Sequence, residues 1–374
     1  MANILDYLSW RSDVPFSVDP FNEVDNLILS ELAYAKFDGI VPEDGTEIGL
    51  KEVCGRYFAR HKKEEILQDK AYTAPAPLLR EKMLEGERFF GTRLSYYLSE
   101  TDLKTEKQLA AVTFLLPGGL VCVSYRGTDG TLVGWKEDFN FSFQTETEGQ
   151  SHAVSYLDAV GRAYPGRRLI VAGHSKGGNL AVFASAFCEK DVQDRIEAVY
   201  TNDGPGLRHE IVELEGYERI LPRIISIIPD TSIIGRILSS KTEPKVVLSS
   251  ASGLAQHDGF SWQVTKNRFV PAELSKTGEL IDKSLDTWLE HLDDETRRTF
   301  FDTVYELFSA TGVNSLSELG TQKIRTGEAV FASYRSLPKE KRQEIFSVFK
   351  VFARSSGQTA ADYLLSRMDK EKED

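Results

Sequence analysis

The sequence predicts an α/β fold, a central and mostly parallel sheet flanked by helices, with further helices at both ends. Three observations predict it. Residues 167–187, RRLIVAGHSKGGNLAVFASAF, read as a buried strand, a turn of small residues, and a helix whose apolar positions Leu180, Phe183, Ala184 and Phe187 fall at helical spacing. From residue 108 onward, short β-branched runs alternate with amphipathic stretches, an order that implies right-handed crossovers and parallel strands. Before residue 100 and after residue 270 the apolar spacing is helical.

Taken in order, residues 1–100 are expected to form an N-terminal helical region packed on the core. A helix starts at Asp19-Pro20 and carries Leu27, Leu32 and Ala35; others are expected over 50–60 and 78–88. Asp25 and Glu31 read as solvated or capping carboxylates, and His61 as exposed. The core is expected over 101–270. Residues 109–116 and 120–125, joined by Pro117-Gly118-Gly119, read as a hairpin of buried strands. A helix over 152–164 stops at Pro165-Gly166, and strands come next over 169–172, 196–201, 224–228 and 245–249. Residues 271–374 are expected to be a C-terminal helical extension or cap. Its stripes are Ile281, Leu285, Trp288, Leu289 and Leu292; then Phe301, Val304, Tyr305 and Phe308; then Ile345, Phe349 and Phe352.

Composition narrows the function. With 374 residues and 41% hydrophobic content the chain can bury a sizeable core and allows two or three domains. A net charge of −12 and a pI near 5.2 argue against broad attraction to nucleic acid or anionic lipid. Cys54, Cys122 and Cys188 are odd in number and widely spaced, so buried free thiols are expected rather than a disulfide framework or zinc site. No secretory, lipidation or membrane-spanning signal stands in the sequence, which points to the cytoplasm.

The turn Gly173-His174-Ser175-Lys176-Gly177 matches G-x-S-x-G, in which a serine is exposed at a cramped strand-to-helix corner. It is neither a P-loop nor a dinucleotide turn, because Lys176 precedes the glycine pair and the glycine spacing is wrong. Such a serine needs a base, and imidazole is suited to the task. Chain order Ser, Asp or Glu, His removes His61 and His152. His174 occupies the elbow itself, with its side chain expected to point away from Ser175, and His291 lies in a helix. His257 is therefore the expected base, ahead of His209. For the acid that orients it, Asp230, after the run 224–228, is expected, with Asp203 the runner-up; Asp258 reads as solvated. The oxyanion donors are expected at the backbone N–H of Lys176 and of Thr128, in the loop Arg126-Gly127-Thr128.

Residues 108–262 resemble the class 3 lipase family of α/β-hydrolases: SYRGTDG, Trp135 and Asp138, AGHSKGGNLA, IIPD and a late histidine stand in that order. A bacterial group of lipase-like proteins is closer still, through DPFNEVDNLILSELAY, GTLVGWKEDF, GHSKGGNLA and NDGPG. The resemblance implies an α/β-hydrolase fold and a serine carboxylic ester hydrolase working through an acyl-enzyme, without metal or organic cofactor. It implies Ser175 as nucleophile, Asp230 as acid, His257 as base, and Thr128 and Lys176 as oxyanion donors. Trp135 would fall in a lid-like segment and Asp138 would brace the oxyanion loop. Lys176 stands where the family has an apolar or small residue, and the lid is short and polar, which together imply a soluble ester or anionic headgroup rather than an oil surface. The rival expectations are a non-catalytic interaction protein on the same scaffold, with a protein partner for the C-terminal helices, and a thioesterase or amidase.

Overall fold

The computed structural model describes residues 2–62, 76–102, 107–128 and 140–275, together with 294, 295, 298 and 343. Its centre is an eight-stranded sheet: β1 (Ile48–Gly49), β2 (Arg93–Asp102), β3 (Lys107–Leu115), β4 (Val121–Tyr125), β5 (Leu169–His174), β6 (Ile196–Asn202), β7 (Ile224–Pro229) and β8 (Lys245–Val247). Spatial order and chain order coincide. Neighbours from β1 to β4 run antiparallel, and those from β4 to β8 run parallel. A short hairpin, β9 (Val264–Thr265) with β10 (Arg268–Phe269), comes after them.

Alternation along the strands sorts the core into two layers. Cys122 of β4, Ile170 and Ala172 of β5 and Tyr200 of β6 face one side. There they meet α1 (Ile4–Arg11), α2 (Glu23–Leu32), α3 (Leu50–Arg60) and α4 (Ala76–Met83) through Leu8, Leu27, Ile28, Val53 and Leu79. Val121, Val123, Leu169, Val171 and Val199 face the other side. They meet α6 (Glu148–Ala163) and α7 (Lys176–Phe187) through Leu157, Val160, Leu180 and Phe183. Helix α7 is apolar on every side, and residues Lys176 to Ala186 are all buried.

Helix α2 is tied to the end of the sheet that carries the serine corner, through Asn26 to Asn202 of β6. It starts at Asn22 rather than at Asp19-Pro20: the Asn22 side chain accepts from Val24 N at 2.9 Å, and the Asp25 carboxylate accepts from Asn22 N at 3.0 Å. This reciprocal cap satisfies the donors left over at a helix start. Asp25 is therefore a capping residue, but it is not solvated. It is fully buried and bonded to Arg88 of α5 (Glu87–Phe90), with Nε at 2.8 Å, and to Tyr7 Oη at 3.0 Å, so one carboxylate ties α1, α2 and α5 together. Glu31 contradicts its expectation outright. It is buried, and neither of its carboxyl oxygens has a hydrogen-bond partner.

The hairpin β3–β4, helix α3 and strands β5 to β8 lie where the sequence puts them to within a few residues, while the helix expected over 78–88 breaks at Gly86 between α4 and α5. Strand β2 was not expected and crosses residue 100, so the sheet begins inside the region read as helical. The three cysteines are free and buried. The C-terminal stripes fall outside the described residues; near them Asp294 meets Arg208 Nη2 at 3.0 Å.

Candidate active site

Strand β5 ends at His174, and the chain turns so sharply into α7 that Ser175 adopts φ 58°, ψ −131°. A non-glycine residue in such a conformation costs about 1–3 kcal/mol, so its surroundings must hold it there. Ser175 N donates to Asn202 O at 2.9 Å, and Gly178 N to Ser175 O at 2.8 Å. The flanking glycines are a matter of space: a methyl on Gly173 would overlap the Gly177 carbonyl, and one on Gly177 would overlap Tyr125 O.

Asn202, the last residue of β6, is the clasp behind this corner. Its amide donates to Gly173 O at 3.0 Å, to Asn26 Oδ1 at 3.2 Å and to Ser30 Oγ at 3.2 Å, and its Oδ1 accepts from Asn26 Nδ2 at 2.8 Å. Helix α2 is thereby bonded to the two strands that carry Ser175 and Asp203. On the opposite side of the corner, Asn179 Nδ2 donates to Gly206 O at 2.6 Å and its Oδ1 accepts from Gln150 at 2.9 Å, which joins the GGN and NDGPG segments.

One residue past β6, Asp203 takes φ 46° and turns its buried carboxylate toward the loop after β8. His257, at the end of the short turn Gly253–His257, brings Nδ1 to 2.7 Å from Asp203 Oδ2. Asp203 Oδ1 accepts from Ser232 Oγ and, at 3.1 Å, from Gly235 N. With the carboxylate as acceptor, Nδ1 carries the ring proton and Nε2 of the neutral ring keeps its lone pair.

The expected acid, Asp230, is not on the imidazole. Its Oδ1 accepts from Gln256 Nε2 at 2.8 Å, and Gln256 Oε1 accepts from Thr231 N at 2.9 Å. Asp230 thus braces the turn that delivers His257, while the runner-up Asp203 bonds the ring. The alternative base His209 is exposed at the start of a short helix. Asp258, expected to be solvated, is partly buried and accepts from Phe260 N at 2.9 Å, and burial raises its carboxyl above the usual range.

Thr128 is buried in the loop after β4, and Gly127 is what lets that loop close on the elbow. A methyl there would collide with Tyr34 Oη and the His174 carbonyl and lie 3.0 Å from Ser175 Cβ. The Lys176 N–H opens α7, where the helix dipole favours negative charge. Its side chain does something the sequence did not suggest. It is buried, and Nζ donates to Gln108 O at 2.7 Å and Gln108 Oε1 at 3.1 Å, so this ammonium is not presented to a substrate headgroup. Trp135 and Asp138 lie outside the described residues.

His174, set aside in the sequence because it belongs to the elbow, is fully buried with its ring centroid 4.6 Å from that of His257. Its Nε2 lies 2.7 Å from the His257 carbonyl oxygen and its Nδ1 3.0 Å from Tyr34 Oη. Burial, with His257 nearby, pushes its pKa down to about 3. Burial, reinforced by Asp258, raises Glu31 well above the usual carboxylate range. Residues 26, 30, 31 and 34 were legible as a group in one respect: they set polar side chains at helical spacing among apolar neighbours on both sides, leaving α2 no purely solvent-facing stripe. Among the described residues, no group of three His, Cys, Asp or Glu is placed to hold a metal ion, and no helix is long and apolar enough to cross a membrane.

A parallel sheet entered by an antiparallel hairpin, with the serine corner on β5, an Asp at the end of the next strand and a His after β8, is the α/β-hydrolase fold in its lipase-like form. Within that class the chain belongs to the Mbeg1-like family, whose profile matches residues 83–306, well over half of the chain. No curated protein matches it in sequence. Solved structures similar to it include fungal lipases. Lipase II from Rhizopus niveus matches at 16% identity and a TM-score of 0.29, over 38% of this chain and 60% of that one. The native Rhizomucor miehei lipase propeptide complex matches at 13% and 0.35, over 65% and 67%. A structure described as fungal lipases matches at 12% and 0.39, over 73% and 94%. The chain therefore spans less than two thirds of the Rhizopus lipase.

Proposed function

We propose that the protein is a serine hydrolase that cleaves a carboxylic ester through an acyl-enzyme on Ser175. The observation that carries this reading is the 2.7 Å bond between His257 Nδ1 and a buried Asp203 whose other oxygen is held by Ser232 and Gly235, in a chain whose elbow serine is held in a strained conformation. That pairing fixes the imidazole with Nε2 unprotonated, the form in which it accepts a proton from an alcohol.

As Ser175 Oγ bonds to the ester carbonyl carbon, its proton passes to His257 Nε2. The carbonyl π pair moves onto oxygen, facing the N–H groups of Lys176 and Thr128. Collapse of this tetrahedral species re-forms the carbonyl and breaks the bond to the alkoxy oxygen, which leaves as an alcohol with the proton from Nε2. Water, deprotonated by the same nitrogen, then attacks the acyl carbon; the second collapse returns the proton to Ser175 Oγ and frees the acid. Asp203 holds the tautomer and offsets the charge of the transient imidazolium. Asp230 has a different part, holding the turn before His257 through Gln256.

The strained elbow serine and the paired His257 and Asp203 support an ester or lipid-like substrate. The buried Lys176 removes the sequence argument for an anionic headgroup. As a test, the purified protein is treated with a fluorophosphonate probe and with p-nitrophenyl esters of increasing chain length. We expect labelling and turnover that vanish in Ser175→Ala. Labelling that persists in Ser175→Ala, or a wild-type protein inert to probe and esters alike, overturns the assignment.

A further inference from the structure

We propose that His174 is a positioning residue for the general base: its Nε2–H, donated to the backbone carbonyl of His257, sets where that imidazole sits between Asp203 and Ser175, and Tyr34 holds His174 in the tautomer that can do so. The proposal rests on the reading of Ser175, Asp203 and His257 as nucleophile, acid and base.

The proton assignments are set by the partners. A carbonyl oxygen only accepts, so the 2.7 Å contact with His257 O puts the proton on Nε2 of His174. Nδ1 is then a lone pair, and the Tyr34 hydroxyl 3.0 Å away is its donor. Were the ring in its other tautomer, two lone pairs would face each other at the His257 carbonyl. Such a clash in a buried site carries the full penalty of an unmade hydrogen bond.

The bond grips the base by its own backbone. In the turn Gly253–His257 the last two carbonyls are both taken: Trp262 Nε1 donates to Gln256 O at 2.8 Å, and His174 Nε2 donates to His257 O. The first contact fixes the approach of the turn and the second fixes its final residue. Because His174 is the chain neighbour of Ser175, the base is referenced directly to the strand that carries the nucleophile. Tyr34 lies just beyond α2, and α2 is bonded through Asn26 to Asn202 between that strand and the acid. Nucleophile, acid and base thus share one buried polar frame.

The charge state suits this part. The groups facing the His174 ring are Tyr34 and Glu31 from the α2 side, with Glu31 Oε1 3.7 Å from Nδ1, and His257 and Asp203 from the other, while Asp258 acts on Glu31. Burial keeps His174 neutral down to about pH 3 and raises the Glu31 carboxyl well above its usual range. A neutral His174 matters because its ring lies 4.6 Å from that of His257. A cation there would oppose the imidazolium that His257 becomes on taking the serine proton.

The test compares His174→Gln, whose amide N–H can occupy the place of Nε2–H, with His174→Leu and Tyr34→Phe. Displacement of a base by about 1 Å is enough to cost about 10²-fold. We expect His174→Leu to lower kcat by about that factor with KM within about threefold of wild type, and His174→Gln to restore most of it. Tyr34→Phe, losing one neutral hydrogen bond, should lower kcat about 3- to 10-fold. An independent readout is the ¹⁵N-edited spectrum of the histidine rings. In wild type, His174 should show the Nε2–H tautomer with no titration from pH 5 to 9, and the His257 Nδ1–H should be protected by Asp203. His174→Leu should lose that protection and His174→Gln should keep it. Unchanged kcat and an unchanged His257 Nδ1–H signal in His174→Leu overturn the proposal; if that variant does not fold, a wild-type spectrum and rate in Tyr34→Phe does so instead. A wild-type protein inert to fluorophosphonate removes the hydrolase reading alone, since the ring spectra still decide the role of His174.

Discussion

Replacing Asp203 by Asn separates the two candidate acids. Asp203 Oδ1 accepts two hydrogen bonds, from Ser232 Oγ and Gly235 N, while Oδ2 faces His257 Nδ1. An Asn side chain can keep both Oδ1 bonds only by placing its carbonyl oxygen there, which turns the NH₂ group toward His257. Nδ1 must then accept, so the ring proton moves to Nε2, which under the proposed mechanism needs a lone pair to take the Ser175 proton. Loss of this tautomer control typically lowers kcat by about 10⁴, or about 5.5 kcal/mol of barrier. Asp230→Asn changes a group that meets only Gln256 and should retain activity within about tenfold, since the carbonyl of Asn can still accept from Gln256 Nε2. Initial rates on p-nitrophenyl butyrate and second-order rates of fluorophosphonate labelling, measured on both variants at pH 7.5, provide the comparison. An Asp203→Asn enzyme with more than one tenth of wild-type kcat, or an Asp230→Asn enzyme as impaired as Asp203→Asn, refutes the assignment of the acid.

The remaining predictions concern the frame around this pair. Burial raises the folded-state carboxyl of Glu31 well above its ordinary value of 4.5, so this residue makes stability fall as pH rises past that point. Glu31→Gln removes this dependence; its stability relative to wild type should be higher at pH 7 than at pH 5 in urea melts, and an equal difference at both pH values would count against the buried neutral acid. Gly127→Ala forces the oxyanion loop off Tyr34, the His174 carbonyl and Ser175, and should lower kcat about 10²-fold or more with little change in KM; an unchanged kcat means that loop supplies no donor. Arg88→Met strands the buried Asp25 carboxylate and should cost about 3–5 kcal/mol, with Asp25→Asn in the same chain recovering part of it in a double-mutant cycle; additive losses would show that the two do not act as a pair.

Much of the fold can be read directly from the residues. The hairpin Lys107–Leu115 with Val121–Tyr125, helix Leu50–Arg60 and the elbow are marked by strong local signals: a Pro-Gly-Gly turn between β-branched runs, a stripe of helical period, and a glycine-framed serine. Strand β2 escaped because its alternation is broken. The register slips between Ser95 and Leu98, Tyr96 takes φ 51°, and burial no longer follows every second residue. The two acids are a different case. Asp203 and Asp230 each follow a parallel strand by one residue, so position alone cannot rank them. The left-handed backbone of Asp203 and the Gln256 amide that occupies Asp230 decide which of them bonds His257, and both arise from tertiary contacts. Glu31 was misread because the usual expectation sends carboxylates to water. Helix α2 is covered on every side, so its polar residues meet Arg88, Asn202 and His174 instead.

A sheet whose spatial order repeats its chain order has a consequence for biosynthesis. Translation delivers each strand beside a neighbour already made, with no slot to be held open for a later segment. A ribosome that has released the polypeptide only through β5 and its helix has exposed the alcohol, while the carboxylate at 203 and the ring at 257 are still to come. Under the proposed chemistry the nascent protein is inert until its last strands join, and the reactive centre is armed only as the sheet is completed.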